Sequence, residues 1–236
     1  MHMKNKETKE SPFIVEVATE DHLHHAEIIC AEMEESAKQR GTGIAKRSVV
    51  YLMEKMVEGK AIIATTKDGD WVGFCYVETW EHGKFVANSG LIVSPHYRNS
   101  GMAKAIKSKA FELSRKKYPN AKIIGITTSL AVMKINSDLG YEPVTFSELT
   151  TDEAFWKGCA SCVNYDVLTR TGRKNCLCTG MMYNQEVAEK KKNNEAAGWN
   201  FLKESKLYER WMRIKQRIML RRSDNDKKKN SEATLV

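Results

Sequence analysis

The chain has 236 residues, 42% hydrophobic and 29% charged, which excludes wholesale disorder and suits one domain with an appendage or two small domains. Its net charge of +8 is concentrated in the tail: the segment from Gln185 onward carries +6, so the first 184 residues carry only +2. A near-neutral main domain gives no electrostatic argument for nucleic-acid binding.

No apolar run approaches the roughly 20 residues of a membrane span. The opening M-H-M-K-N-K-E-T-K-E has no apolar stretch of the kind an export signal needs. The expectation is therefore a cytoplasmic protein whose six cysteines are free, catalytic or metal-bound rather than paired in disulfides.

In chain order, residues 1–11 read as a flexible N-terminus and 13–17 as a short apolar strand. Thr19 caps a helical stretch in which Ala26, Ile29, Cys30 and Met33 share one face, and Gly41-Thr42-Gly43 breaks it. Ser48 caps a second helix that presents Leu52, Met53 and Met56 and ends at Gly59. Strands follow at 60–66, 71–79 and 85–93, the first two joined by the turn residues Lys67-Asp68-Gly69-Asp70. A helix over 102–117 turns Ile106, Ala110 and Leu113 inward. A buried strand at 122–128, a helix at 132–139 ended by Gly140, a strand beginning at 144–146 and a last strand at 176–183 complete the pattern. This is an α/β order with an antiparallel run in the middle. Beyond it, 185–222 reads as a basic helical extension and 223–236 as a disordered tail.

The segment that carries chemistry is Leu91-Ile92-Val93-Ser94-Pro95-His96-Tyr97-Arg98-Asn99-Ser100-Gly101-Met102-Ala103. An apolar strand stops at a proline, an Arg-x-x-Gly-x-Ala turn follows, and an amphipathic helix begins. Unpaired N–H groups at a helix N-terminus, with about half a positive charge behind them, suit a pyrophosphate. Gly101 lets the backbone approach the ligand, Ala103 keeps the first turn slim, and Arg98 adds a charge-assisted contact.

This stretch resembles the acyl-CoA site of the GNAT superfamily of N-acetyltransferases, and the element order over residues 12–184 is similar to that fold. The resemblance implies a mixed central sheet flanked by helices. It implies that Leu91, Ile92 and Val93 offer backbone groups to the pantetheine arm, and that Arg98, Asn99, Ser100, Gly101, Met102 and Ala103 hold the pyrophosphate. It implies further that the strand at 122–128 splays away to admit the thioester. Asn136 falls four residues before Gly140, where many members carry a tyrosine that protonates the leaving thiolate. Asn136 faces the cofactor in this reading but only donates a hydrogen bond.

Acyl transfer to an amine needs a base, because α-amino groups titrate near about 7.7–8.0. Glu78 and, in the adjoining loop, Glu81 or His82 are the candidates, each weighed against a solvated surface role; His96 reads as exposed. Arg40, Lys46 and Arg47 cluster around the Gly-Thr-Gly break and fit an acceptor that bears a carboxylate, the alternative being exposed helix-end charges. The runs E-E-S-A-K-Q-R-G-T-G-I-A-K-R, G-F-C-Y-V-E-T-W, H-G-K-F-V-A-N-S-G-L-I-V and A-V-M-K-I-N-S-D-L-G-Y are similar to a compact single-domain GNAT group associated with N-acylglutamate synthesis in arginine biosynthesis. That resemblance implies glutamate as acceptor and acetyl-CoA or succinyl-CoA as donor, with another small amine or a protein substrate as the alternative acceptor.

Two features lie outside this reading. Cys159-x-x-Cys162 and Cys176-x-Cys178, within an excursion at 155–178, suit a tetrahedral structural zinc, with thiols packed in a small core as the alternative. The basic extension, with Trp199, Phe201, Leu202, Tyr208 and Trp211, reads as an amphipathic helix docked on the domain or on a second subunit of a homodimer, in preference to nucleic acid. A zinc-containing binding module is the alternative class.

Overall fold

The computed structural model describes residues 11–40 and 47–189. Expectations for the N-terminus, for Lys46 and for the basic extension and tail beyond Glu189 lie outside the described residues. The chain divides into two compact units, Met1–Gln185 and Glu186–Val236. Among the described residues no helix is long and apolar enough to cross a membrane.

The first unit holds a seven-stranded sheet in the order β1-β2-β3-β4-β5-β7-β6. β1 (Phe13–Val17), β2 (Ala61–Thr66), β3 (Trp71–Trp80) and β4 (Phe85–Val93) form an antiparallel meander. β5 (Lys122–Thr127) then runs parallel to β4, and β7 (Thr179–Tyr183) inserts antiparallel between β5 and β6 (Glu142–Val144). The parallel step exists because α3 (Met102–Lys117) crosses over between the two strands, as parallel neighbours require.

The alternation of side chains along each strand builds two layers. On one face, α1 (Ala26–Arg40) and α2 (Val49–Val57) bury Ile29, Met33, Leu52 and Met56 against Ile63, Phe74 and Tyr76. Ser48 caps α2 as its sequence suggests, accepting from the Tyr51 N–H at 3.2 Å. On the other face, α3 packs Ile106 and Ala110 against Ile62, Val72 and Cys75. There α4 (Leu130–Asp138) places Met133 beside Val77, Val86 and Ile123.

The excursion before β7 folds back over the α1 and α2 face. It contains two short helices that the sequence pattern does not reveal, α5 (Glu153–Lys157) and α6 (Tyr165–Arg170). Phe155, Trp156 and Leu168 from these helices, with Phe146 and Leu149, form a core over Ala87, Ile124 and Met182. The last strand begins at Thr179 rather than at residue 176, because Cys176 and Cys178 belong to the excursion's packing.

The β3–β4 ladder is irregular between Phe74 and Tyr76. Opposite it, Gly90 holds a φ of +63°, and a Cβ there would run into the Tyr76 ring and approach Met33 Cε at 3.0 Å. Only glycine combines that backbone with that contact. Gly90→Ala is expected to lower the unfolding free energy by about 2 kcal/mol, read from urea denaturation.

Candidate active site

β4 and β5 pair only from Phe85↔Lys122 to Ala87↔Ile124 and then part. A cavity of about 240 Å³ occupies the opening. Residues of both strands line it, Asn88 to Leu91 on one and Gly125 to Thr127 on the other. Its walls come from β3 (Tyr76, Glu78, Trp80), from Arg47 before α2, and from the excursion (Phe146, Phe155, Leu168 and the four cysteines).

At the far end of β4, Pro95–Tyr97 forms a 3₁₀ turn and the chain enters α3 through two left-handed residues, Asn99 at φ +63° and Gly101 at φ +86°. Nothing lies within 4 Å of where a Gly101 Cβ would sit, so the backbone is open to approach. Lys104 and Ala105 N–H close onto the Gly101 carbonyl, each at 3.1 Å. The N–H groups of Asn99, Ser100, Gly101, Met102 and Ala103 have no acceptor among the described residues. Five outward donors at a helix N-terminus fit a pyrophosphate.

The Arg98 side chain serves a different end from the one expected. Its guanidinium donates to Glu32 Oε1 at 2.7 Å and Ser36 Oγ at 3.0 Å, and its Nε to the Val93 carbonyl at 3.3 Å. It therefore ties the turn to α1, leaving the backbone amides as the groups that suit an anion.

The β3 wall of the cavity centres on Glu78. Its carboxylate receives the Tyr51 hydroxyl and lies 3.5 Å from Arg47 Nη2. Arg47 Nε also donates to Tyr76 Oη at 2.9 Å, and its guanidinium lies 5.2 Å from the Tyr51 ring centroid. Burial raises the Glu78 pKa above its ordinary value, with the Arg47 charge and hydrogen bonds from Ser89 and Arg47 opposing it. A carboxylate with a raised proton affinity on a cavity wall is the arrangement a general base requires.

The other candidates lie elsewhere or are placed differently. His82 sits in a left-handed turn after β3, beside Tyr118, Pro119 and Asn120, and does not line the cavity. Glu81 accepts from Thr150 Oγ1 at 2.6 Å and Thr151 N–H at 3.1 Å, so it anchors the excursion. Asn136 is 2% exposed and lies behind Gly125 of β5, its amide 3.6 Å from Met181 Sδ and its Oδ1 unpartnered. It does not reach the cavity surface. Of the acceptor cations, Arg47 lines the cavity, Arg40 is described in its backbone alone as the last residue of α1, and Lys46 falls outside the described residues.

Cys159, Cys162, Cys176 and Cys178 converge on one cavity wall. Among the described residues, however, no group of three or more His, Cys, Asp or Glu is arranged to hold a metal ion, so the zinc expectation finds no support in the side-chain geometry. Cys159, Cys176 and Cys178 pack instead against Phe146, Phe155 and Leu168. Burial, with the neighbouring sulfurs adding to it, pushes Cys159 up to about 11 and Cys178 up to about 12.

The sequence reading missed Tyr51 and Tyr76. Tyr76 and Glu78, two apart on one strand, necessarily share a face, and that alternation was the available signal.

A seven-stranded mixed sheet with helices on both faces, parting between β4 and β5, is the GNAT acyl-CoA N-acyltransferase fold. No family model matches the chain, and no curated relative matches it at a significant level. Solved structures do. One is the N-acetylglutamate synthase of Neisseria gonorrhoeae complexed with coenzyme A and N-acetyl-glutamate, at TM-score 0.53 and 16% identity over 75% of this chain. The match spans only 36% of that longer protein. Another is Rv2747 of Mycobacterium tuberculosis in complex with CoA, at TM-score 0.51 and 15% identity, covering 72% of this chain and 98% of that one. A third is ACIAD1637 of Acinetobacter baylyi ADP1, called a putative acetyltransferase, at TM-score 0.50 and 14% identity, covering 74% of this chain and 93% of that one.

A thiol held near 11 is almost wholly protonated at pH 8, roughly a hundredfold or more poorer in thiolate than an ordinary cysteine. Alkylation of the native protein with iodoacetamide at pH 8, followed by peptide mass spectrometry, is expected to spare Cys159 and Cys178. Both should react fully once the protein is unfolded in urea.

Proposed function

We propose that this chain is an acyl-CoA-dependent N-acyltransferase that moves an acetyl group, or a succinyl group, onto the amine of a small acceptor bearing a carboxylate, with glutamate the leading candidate. The observation that carries the reading is a pair of chemically distinct features along β4: a cavity where it parts from β5, and an amide-rich turn beyond its end at the start of α3. The amides of Asn99 to Ala103 at the start of α3 have no acceptor among the described residues and suit an anion, while a half-buried carboxylate beside a guanidinium lines the cavity and suits the acceptor. The likeness to an N-acetylglutamate synthase bears on the acceptor only as support.

The roles follow from the geometry. The amides of Asn99 to Ala103 hold the pyrophosphate of the donor, and the open edges of β4 and β5 receive its arm. Arg47 binds the acceptor's carboxylate. Glu78 takes a proton from the acceptor's ammonium, directly or through one water, freeing the nitrogen lone pair. Nitrogen attacks the thioester carbonyl, the new C–N bond forms, the C–S bond breaks and the thiolate leaves. The amide product loses its remaining excess proton to solvent. No tyrosine stands at the position of Asn136, and the buried Asn136 offers no replacement acid, so the thiolate departs unassisted by that residue. The cytoplasmic location expected from the sequence, and a role in arginine biosynthesis, belong to this same proposal.

The test is release of CoA thiol from acetyl-CoA and succinyl-CoA with each amino acid in turn. Glutamate should give the highest kcat/KM, and a ranking no better than neutral amino acids sinks the acceptor assignment. Arg47→Met should raise KM for glutamate more than tenfold.

Because the Glu78 pKa is raised, the base is protonated at low pH and becomes active as pH rises through a value above that of an ordinary glutamate. The wild-type log(kcat/KM) profile should show that acid limb. Glu78→Gln should abolish it and lower kcat by about a hundredfold.

A further inference from the structure

α3 carries a lysine where its pattern calls for core. Lys107 shares a face with Ala110 and Ser114, and it is only 2% exposed. No carboxylate among the described residues forms an ion pair with it. Its Nζ donates to the Asn88 carbonyl at 3.2 Å and lies 5.5 Å from the Tyr141 ring centroid. Burial lowers its pKa, with Cys75 acting in the opposite sense. A buried ammonium is costly, so one that binds a main-chain carbonyl where the sheet parts calls for a reason.

The strand register supplies it. Across β4 and β5 the Lys122 N–H donates to the Lys84 carbonyl at 2.9 Å. Alternate residues of a strand turn their backbone groups to the same side, so Val86 and Asn88 face β5, while Ile124 and Ile126 face β4. The β3 side agrees: Val77, opposite Asn88, sends its N–H away to the Lys60 carbonyl in the other direction, at 2.7 Å.

After Ala87↔Ile124 the next ladder bond due is Ile126 N–H to the Asn88 carbonyl. Lys107 donates to that carbonyl instead, and the β4–β5 pairing does not extend to it. Asn88 is fixed on every other side: its Nδ2 donates to Ser114 Oγ at 2.6 Å and to the Ala110 carbonyl at 3.3 Å, and its Oδ1 accepts from Tyr141 Oη at 3.2 Å.

We propose that Lys107 is a positioning residue that ends the β4–β5 ladder: by occupying the Asn88 carbonyl it keeps the strands apart and leaves the Ile126 N–H for the acyl-CoA arm. Lys107 does not line the cavity, and it acts through Asn88, which does. Remove the ammonium and the cheapest partner for a buried carbonyl is the β5 amide opposite it, so the ladder extends by one rung and the opening narrows. This rests on the acyl-CoA reading for the identity of the guest, but the strand behaviour does not.

The experiment is amide hydrogen exchange resolved at Ile124 and Ile126 by NMR, with acetyl-CoA binding followed by calorimetry, on wild type, Lys107→Met and Lys107→Gln. The glutamine arm is one atom shorter than lysine and carries no charge. In free wild type, Ile126 should exchange at least tenfold faster than Ile124, and acetyl-CoA should slow it. In either variant, Ile126 should become protected without ligand and the Kd for acetyl-CoA should rise at least tenfold. For Lys107→Met a melting temperature at or above wild type is expected, since the buried charge is gone.

An Ile126 amide already as protected as Ile124 in free wild type overturns the proposal even if neither variant folds. So does a folded variant with wild-type Ile126 exchange or with acetyl-CoA affinity within twofold of wild type. Wild-type protein that shows the expected exchange contrast but binds no acetyl-CoA defeats the donor assignment and leaves the ladder-ending role standing.

Discussion

The structure turns on two parallel strands that share a ladder and then abandon it. Backbone groups inside a protein must find partners, and the parting of β4 from β5 after Ala87 leaves a row of them facing a gap. Much of the candidate site lies around that gap. The irregular β3–β4 register and Gly90 shape one wall, and the cavity walls are drawn from elements on either side of the opening. The strands are held in place by packing on both faces, with Val86 and Ile123 under α4 and Ala87 and Ile124 under the excursion.

That dependence explains why this part of the chain was the most legible in sequence. β4 and α3 lie at the boundaries the pattern predicts, because each boundary has its own chemical cause. Pro95 cannot continue a ladder, and Gly101 takes the left-handed backbone that opens α3. The excursion was least legible for the opposite reason. α5 and α6 have five and six residues, too few to display a helical period, and their apolar residues meet only through the tertiary fold. Cys176 and Cys178 read as the start of a strand because small apolar residues fit either context.

The acceptor site divides in the same way. Glu78 was legible as a polar residue near the end of an apolar strand. Its setting was not, because Tyr51 and Arg47 reach it from α2 and the loop before it, and the burial that raises its pKa comes from the tertiary fold. His82 looked equivalent by position, yet the left-handed turn after β3 carries it to another surface. Arg98 fits the anion-binding motif but is engaged by Glu32 and Ser36, acidic and polar positions of α1 whose proximity no local pattern encodes. Lys107 is the sharpest case: on a helix rich in lysine it is one more cation, and only the register of β4 against β5 distinguishes it.

On the proposed reading, the Arg47–Glu78 pair links recognition to chemistry. Burial raises the proton affinity of Glu78 and the Arg47 charge restrains it, so the two effects are balanced against each other in the free protein. An acceptor carboxylate that engages the guanidinium shares the charge that had been lowering the Glu78 pKa, and it excludes water from the same wall. Burial then acts with less opposition, and the carboxyl gains proton affinity while the acceptor's ammonium lies beside it. An amine without a carboxylate leaves Arg47 on Glu78 and leaves the base weak. Discrimination in such a site falls on kcat as well as on KM, because the group that recognises the acceptor is the same group that holds the base in check.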